Sequence, residues 1–181
     1  MITLITGNLH KVREIQEMLE RELAHHPIEL PEIQHTDPVK VMEAKLEAAY
    51  AHAPGEYLVE DTSLTLACFN NQLPGPFIKW FEDVLTNDGI VSMVERMGES
   101  GATATTLLGY VDAKGARHVF RGDTEGRVVA SRGTNDFGFG PIFEPLGSTK
   151  TFGEMTREEK YAVSMRGKAV AQLKRFLEGR A

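Results

Sequence analysis

Adjacent carboxylates at the end of a short apolar run are the first feature of this chain that could do chemistry. Leu58-Val59 leads into Glu60-Asp61, and the hydroxyls of Thr62-Ser63 follow at once. Strand ends are where α/β proteins hold their ligands, and carboxylates placed there hold hard cations such as Mg²⁺. The same residues also read as a surface turn in which Asp61 caps the next segment. Elsewhere the chain supplies a third acid, Glu32, and four lysines that each stand in or beside a helix: Lys11, Lys45, Lys79 and Lys160. Singly, each is a solvated charge. As a set, with the turn at Gly7-Asn8 and the aromatic–glycine string Phe137-Gly138-Phe139-Gly140, they suit a nucleotide. Lysines would meet phosphates, carboxylates a metal ion, and a ring the base. Cys68, between Ala67 and Phe69, reads as packing, and the histidines show no zinc-type spacing.

The elements that must position these residues follow from periodicity. Ile2-Thr3-Leu4-Ile5-Thr6 is a β-branched strand candidate, Gly7-Asn8 breaks it, and Val12, Ile15, Leu19 and Leu23 recur at helical spacing. A strand–glycine–helix turn leaves N–H groups and the positive end of a helix dipole facing outward, which suits a phosphate. The further glycines of a P-loop or a dinucleotide fingerprint are missing. Ile28-Glu29-Leu30-Pro31-Glu32-Ile33 reads as an edge-type strand, because Pro31 cannot donate to a ladder. Val41, Lys45, Ala48 and His52 mark a helix that Pro54-Gly55 ends, and Tyr57-Leu58-Val59 is the strand that leads to Asp61.

After the rigid turn Leu73-Pro74-Gly75-Pro76, a helix spans Phe77 to Leu85 with Phe77, Phe81, Val84 and Leu85 inward and Lys79 free for a cleft. Asn87 or Asp88 caps another helix, Ile90 to Met97. Thr103 to Val111, Arg117 to Phe120 and Arg127 to Ala130 read as antiparallel strands of a second lobe packed beside the first. Thr156-Arg157-Glu158-Glu159 is a capping box, and Gly167 divides the helix it opens from a last one with Ala169, Leu173, Phe176 and Leu177 inward. The aromatic–glycine string reads equally as a stacking loop and as a glycine-kinked core strand.

The totals bound the function. The 181 residues fit one domain, or two lobes sharing a core, and the formal net charge of -6 argues against a general nucleic-acid footprint. A lone cysteine points to a reducing compartment. No apolar run has membrane-spanning length, and the polar Gly7-Asn8 comes too early for a signal peptide. The expectation is a folded cytoplasmic protein without nucleic-acid or membrane partners.

Several strings in order resemble a known family. Thr6-Gly7-Asn8-Leu9-His10-Lys11 with Glu14 is similar to the phosphate turn of the inosine triphosphate pyrophosphatase family, as is Leu58 to Leu64. The most distinctive match is Leu73-Pro74-Gly75-Pro76-Phe77-Ile78-Lys79-Trp80-Phe81. Phe120-Arg121-Gly122 with Glu125-Gly126, Phe137-Gly138-Phe139 with Pro141, and Glu154-Met155 with Glu159-Lys160 complete the series, so the resemblance runs from residue 2 to the last helix. It implies one domain over 1–181, an elongated α/β mixed-sheet fold of two lobes with flanking helices and a central nucleotide-binding cleft. It also implies Mg²⁺-dependent hydrolysis (with Mn²⁺ as a substitute) of aberrant purine nucleoside triphosphates to monophosphate and pyrophosphate, by a homodimer.

Carried onto this chain, the resemblance places Thr6, Gly7, Asn8 and Lys11 at the phosphates, aided by Lys45 and Lys79, with Thr62 also substrate-binding, and Glu32 and Asp61 at the metal. Asp61 would also orient or deprotonate the attacking water. Phe137, within the loop Phe137-Gly138-Phe139, would stack on the base, with Lys160 and Arg166 at its polar edge. Glu60 stays open between metal and core. Two positions depart from the family: Gly140 stands where an aspartate is usual, and Met165 where a histidine is usual. Both belong to base recognition, so the expectation is retained hydrolysis with base selectivity relaxed or redirected, restored by Gly140→Asp with Met165→His. A nucleotide-binding protein without turnover, or a diphosphatase for a different triphosphate, is the alternative.

Overall fold

In the computed structural model, which describes residues 1–52 and 55–179, the first β-branched run forms strand β1, Thr3–Ile5, and helix α1 follows over Leu9–Leu19. Asn8 starts the helix: its Oδ1 accepts the backbone N–H groups of His10 at 2.9 Å and Lys11 at 3.4 Å. Val12, Ile15 and Leu19 are buried, as their spacing requires.

The edge strand expected over 28–33 lies instead at β2, Ala24–His26, where it pairs parallel to β1 with Thr3 opposite Ala24. Pro31 has no N–H for a ladder. Residues 28–33 carry no regular structure, and Ile28 and Leu30 pack beside helix α2, Pro38–His52. The expected end of that helix involves Pro54, which lies outside the described residues.

Strand β3, Tyr57–Leu66, pairs parallel to β1 on the side away from β2, with Ile5 opposite Val59. The chain therefore leaves β1 for β2 on one side and for β3 on the other. That switch opens a crevice beyond the carboxyl end of β1. β3 does not stop at Glu60-Asp61 as expected. Strand β5, Gly101–Val111, pairs with all of it, from Tyr57 opposite Val111 to Leu66 opposite Ala102. What ends beside the acids is the parallel neighbour.

Strand β4, Pro74–Gly75, pairs with β3, while β6, Arg117–Val128, pairs with β5 and β7, Phe143–Pro145, with the end of β6. The sheet order is β2-β1-β3-β5-β6-β7, with β4 off this path. The antiparallel strands thus continue the first sheet and are not a separate layer packed beside it. Arg127-Val128 closes β6, and β7 takes the place of the third strand expected at 127–130.

Helices cover both faces of the sheet, as a mixed sheet requires. On one face α2 lays Met42, Leu46 and Ala49 against Val59 and Leu107. On the other, α1 and helix α5, Met165–Glu178, pack Ile15, Ala169 and Leu173 against Leu58 and Leu108. Helix α3, Ile78–Met97, breaks at Thr86 (φ 60°, ψ 173°), so the two expected helices are present and joined directly. The inner face of its first half is Ile78 and Phe81; Val84 (75% exposed) and Leu85 point outward.

The capping box at Thr156 opens helix α4, Arg157–Val163. Ser164, not Gly167, divides it from α5, because its Oγ accepts the Gly167 N–H at 3.1 Å. β6 and α5 cross closely at Gly122, where a Cβ would stand 1.9 Å from the Met165 carbonyl oxygen. That approach carries Arg166 inside, where it is 2% exposed. Among the described residues no helix is long and apolar enough to cross a membrane.

Candidate functional site

Successive side chains of a strand point to opposite faces. On β3 this sends Glu60 with Leu58 toward α1 and α5, and Asp61 with Val59 toward α2. Asp61 Oδ1 accepts from Lys45 Nζ at 2.6 Å, and Glu32 Oε1 accepts from the same ammonium at 2.7 Å. Burial raises the Asp61 carboxyl above its ordinary value in spite of Lys45 and Lys11. Burial alone would lower Lys45, but Asp61 and Glu32 keep it raised and charged. For Glu32 burial pulls upward and Lys45 downward, and Lys45 prevails. A cation already sits between these two carboxylates, so their oxygens converge on positive charge.

This group lines an open cleft of about 880 Å³, together with Thr6, Gly7, Asn8, Lys11 and Lys79. Thr6 Oγ1 accepts the Asn8 N–H at 3.1 Å and so folds the turn. A Cβ at Gly7 would meet nothing within 4 Å, leaving the turn's backbone open on the cleft side. Residues from β1, α1, α2, β3, α3 and the irregular 28–33 segment meet here, which is the crevice that the strand order opens.

Glu60 is not open to this cleft in the same way. It is 4% exposed and pairs with Lys11 Nζ at 2.5 Å and Arg166 Nη2 at 3.1 Å. Burial would raise its carboxyl, but Lys11 and Arg166 outweigh it and hold it near 2. Arg166 also pairs with Glu14, Glu14 with Lys160 at 2.6 Å, and Lys160 with Asp136 at 2.6 Å. The series Lys11–Glu60–Arg166–Glu14–Lys160–Asp136 alternates in sign and joins the phosphate turn to the aromatic–glycine loop. Thr62 belongs to it: its Oγ1 donates to Glu60 Oε1 at 2.5 Å, and it faces Thr106 at 3.0 Å instead of the open cleft.

Beside this network lies a second cavity of about 320 Å³, lined among others by His10, Glu14, Asp136, Phe137 and Lys160. Lys160 Nζ stands 5.3 Å and Arg166 Cζ 5.5 Å from the Phe137 ring centre, within cation–π range. His10 stacks on the same ring at 5.2 Å and 30°. Phe139, 6% exposed, belongs to the core and meets Phe143 edge-on at 6.0 Å. Of the string Phe137-Gly138-Phe139, Phe137 lines this cavity and Phe139 does not.

The two departures take on a different meaning here. A Cβ at Gly140 would stand 2.2 Å from Asp136 Oδ2 and 2.7 Å from Asp136 Cβ. The Asp136 side chain fills the volume that an aspartate at 140 would need. Met165 is 3% exposed and packs with the core cluster that holds Phe152 and Met155. An aspartate at 140 therefore requires the Asp136 side chain to move. In the sequence Glu14 and His10 stand only as members of the turn motif, and nothing local marks Asp136. Their partners lie up to 152 residues away, beyond the reach of any local pattern.

A family model described as the Ham1 family matches residues 2–176. The chain belongs to the Ham1 family. It is 40% identical over 185 residues to a Kluyveromyces lactis protein named inosine triphosphate pyrophosphatase, covering 97% of this chain and 95% of the relative. A Schizosaccharomyces pombe protein of the same name is 39% identical, covering 98% and 95%. Among solved structures, a HAM1 protein from Coxiella burnetii superposes with a TM-score of 0.83 at 27% identity, covering 98% of each chain. A nucleoside-triphosphatase, dITP/XTP pyrophosphatase, from Mycobacterium abscessus gives a TM-score of 0.72 at 25% identity, covering 96% of this chain and 98% of that one.

Proposed function

We propose that this protein is a nucleoside triphosphate diphosphatase that removes aberrant purine nucleotides, inosine triphosphate and its xanthine and deoxy counterparts among them, by hydrolysing the triphosphate to monophosphate and pyrophosphate. The observation that carries this reading is the Glu32–Lys45–Asp61 cluster in an open cleft beside a capped glycine turn, in a Ham1-family chain whose relatives are named for that activity.

A divalent metal fits the donor set. Glu32 and Asp61 are hard oxygen ligands already converged on an ammonium, and Mg²⁺ typically takes one or two carboxylates, leaving its other positions to waters and phosphates. When bound, such an ion (Mg²⁺, with Mn²⁺ as a substitute) neutralises phosphate oxygens and eases the departure of pyrophosphate.

The protein's own residues do the rest. Lys79, Lys45, Lys11 and the turn of Thr6, Gly7 and Asn8 concentrate positive charge on a triphosphate that carries about four negative charges. Asp61 accepts the proton of a water aligned with the α-phosphorus, a task for which a raised carboxyl is better matched than an ordinary one. No covalent intermediate is required.

At the other end Phe137 stacks on the base once His10 gives way or shares the ring. Lys160 and Arg166 donate to the 6-oxo group, and Asp136 accepts from the ring N–H beside it, a pairing that adenine does not offer. Base selectivity is thus redirected to a carboxylate on a neighbouring position. The same reading takes residues 1–181 as one domain whose two lobes flank the cleft, acting as a cytoplasmic homodimer.

A panel of ribo- and deoxyribonucleoside triphosphates, assayed with Mg²⁺ for both products, tests the proposal. Monophosphate plus pyrophosphate, with inosine and xanthosine triphosphates preferred, is the expected result. Monophosphate with orthophosphate alone assigns a different reaction, and binding without product assigns a nucleotide-binding protein.

A further inference from the structure

Strand β1 ends on a carbonyl that the backbone ladder does not serve, and a histidine takes the donor's place. The Thr6 N–H donates to the His26 carbonyl at 3.3 Å, so β2 still accompanies β1 at this point. In a parallel ladder the Thr6 carbonyl would then accept from the backbone N–H two residues past His26, at Ile28. β2 ends at His26, and from Pro27 the chain has left the strand. The donor that arrives instead is a side chain: His25 Nε2–H donates to the Thr6 carbonyl at 2.7 Å. A carbonyl only accepts, so that nitrogen carries the proton. His25 does not line the open cleft, and the function proposed above leaves it unused.

We propose that His25 is a positioning residue for the triphosphate: its hydrogen bond to the Thr6 carbonyl aims the Gly7 N–H at the phosphates. The inference rests on the nucleotide reading of the site. The Thr6–Gly7 peptide is trans, so its carbonyl and N–H point in opposite directions. β2 and β3 flank β1 on opposite sides. Drawing the carbonyl toward β2 therefore turns the N–H toward the side of β3, where Asp61 and Lys45 line the cleft with Gly7. Among the described residues no acceptor takes the Gly7 N–H. A Cβ at Gly7 would meet nothing within 4 Å, so an anion has room to approach it. A peptide unit beside glycine turns over readily, and the imidazole fixes one orientation.

The test measures kcat and KM for inosine triphosphate, and Kd for inorganic tripolyphosphate, both with Mg²⁺. It compares the wild type, His25→Phe, His25→Gln and the neighbouring control His26→Phe. His25→Phe keeps a flat ring and loses the donor, whereas His25→Gln returns an amide N–H to about the same reach. His25→Phe should raise KM and the tripolyphosphate Kd together by about 5- to 10-fold, the loss of one oriented hydrogen bond. Its kcat should move by less than about 2-fold, because substrate and transition state share the contact. His25→Gln should recover most of the lost affinity. His26→Phe, whose side chain does not touch the turn, should match the wild type. Partial unfolding lowers the active fraction, and so kcat, without moving KM. An unchanged KM and Kd in His25→Phe, a fall in kcat alone, or an equal loss in His25→Gln overturns the assignment. Wild-type protein that binds tripolyphosphate and releases no product would overturn the hydrolase reading alone, because the Kd comparison would still judge His25.

Discussion

Glu60 and Asp61 are neighbours on one strand, and the fold treats them in opposite ways. Asp61 faces α2, shares Lys45 with the exposed Glu32, and keeps a carboxyl that burial raises. Glu60 faces α1 and α5 and is locked between Lys11 and Arg166, with its carboxyl held near 2. A group that must exchange a proton or admit a metal needs a site that can open, whereas one that fixes geometry needs its charge permanently answered. On the proposed reading the first region does the chemistry and the second holds registry. Strand alternation turns one dipeptide into both.

The sharpest way to break this comparison is at Asp61. Asp61→Asn should lower kcat by about 10²- to 10⁴-fold, the usual worth of a positioned general base, with a smaller loss of thermal stability than Glu60→Gln because Glu32 still answers Lys45. The wild-type rate should rise with pH through a carboxyl pKa above 3.8 as Asp61 loses its proton, and that limb should vanish in the variant. Steady-state kinetics along the acid limb of the pH profile would show both. A drop in stability matching the drop in rate would place Asp61 with Glu60 after all.

Glu60→Gln should do the reverse. Removing one partner of a buried pair costs about 3–5 kcal/mol, so denaturant unfolding should show the larger change and kcat at a permissive temperature the smaller one. The sign of the pH dependence follows from the lowered carboxyl. Glu60's contribution is present above its unfolded value of 4.5 and is lost as pH falls toward about 2. Unfolding midpoints measured down to pH 3 should therefore fall more steeply for the wild type than for Glu60→Gln.

Asp136→Asn should change choice more than speed, narrowing the preference for inosine over adenosine triphosphate by about 10- to 100-fold, as the loss of a charged acceptor at a base edge does. Equal rates for the two bases in the wild type would remove its role. The smallest effect belongs to Phe137→Ala. Loss of one stacking platform should raise KM by about 10-fold with little change in kcat.

The regions also differ in how far they could be read from the chain. The chemical side was legible because its parts are local. A β-branched run, a glycine turn, a helix with Lys11 in its first turn and an acid pair each follow from a few consecutive residues. The break in α3 and the capping box at Thr156 were legible for the same reason. Residues 28–33 read as an edge strand from their own composition, while the pairing that makes a strand of Ala24–His26 comes from β1. β3 outran its apolar run because β5 pairs with it throughout.

The base side was read incompletely because its partners are distant. Glu14 meets Lys160 across 146 positions and Arg166 across 152. Only the fold shows that Asp136 occupies the space beside Gly140. The sequence at 140 shows a glycine, whereas the packing puts the Asp136 carboxylate in the space beside it.

Hydrolysis of inosine triphosphate in ¹⁸O-labelled water with Mg²⁺, comparing the wild type with Asp61→Asn, tests the central claim most directly. Label in the monophosphate, at a rate that collapses in the variant, is the predicted result, because Asp61 would activate water against the α-phosphorus. Label in the released pyrophosphate, or a rate indifferent to Asp61, would contradict it.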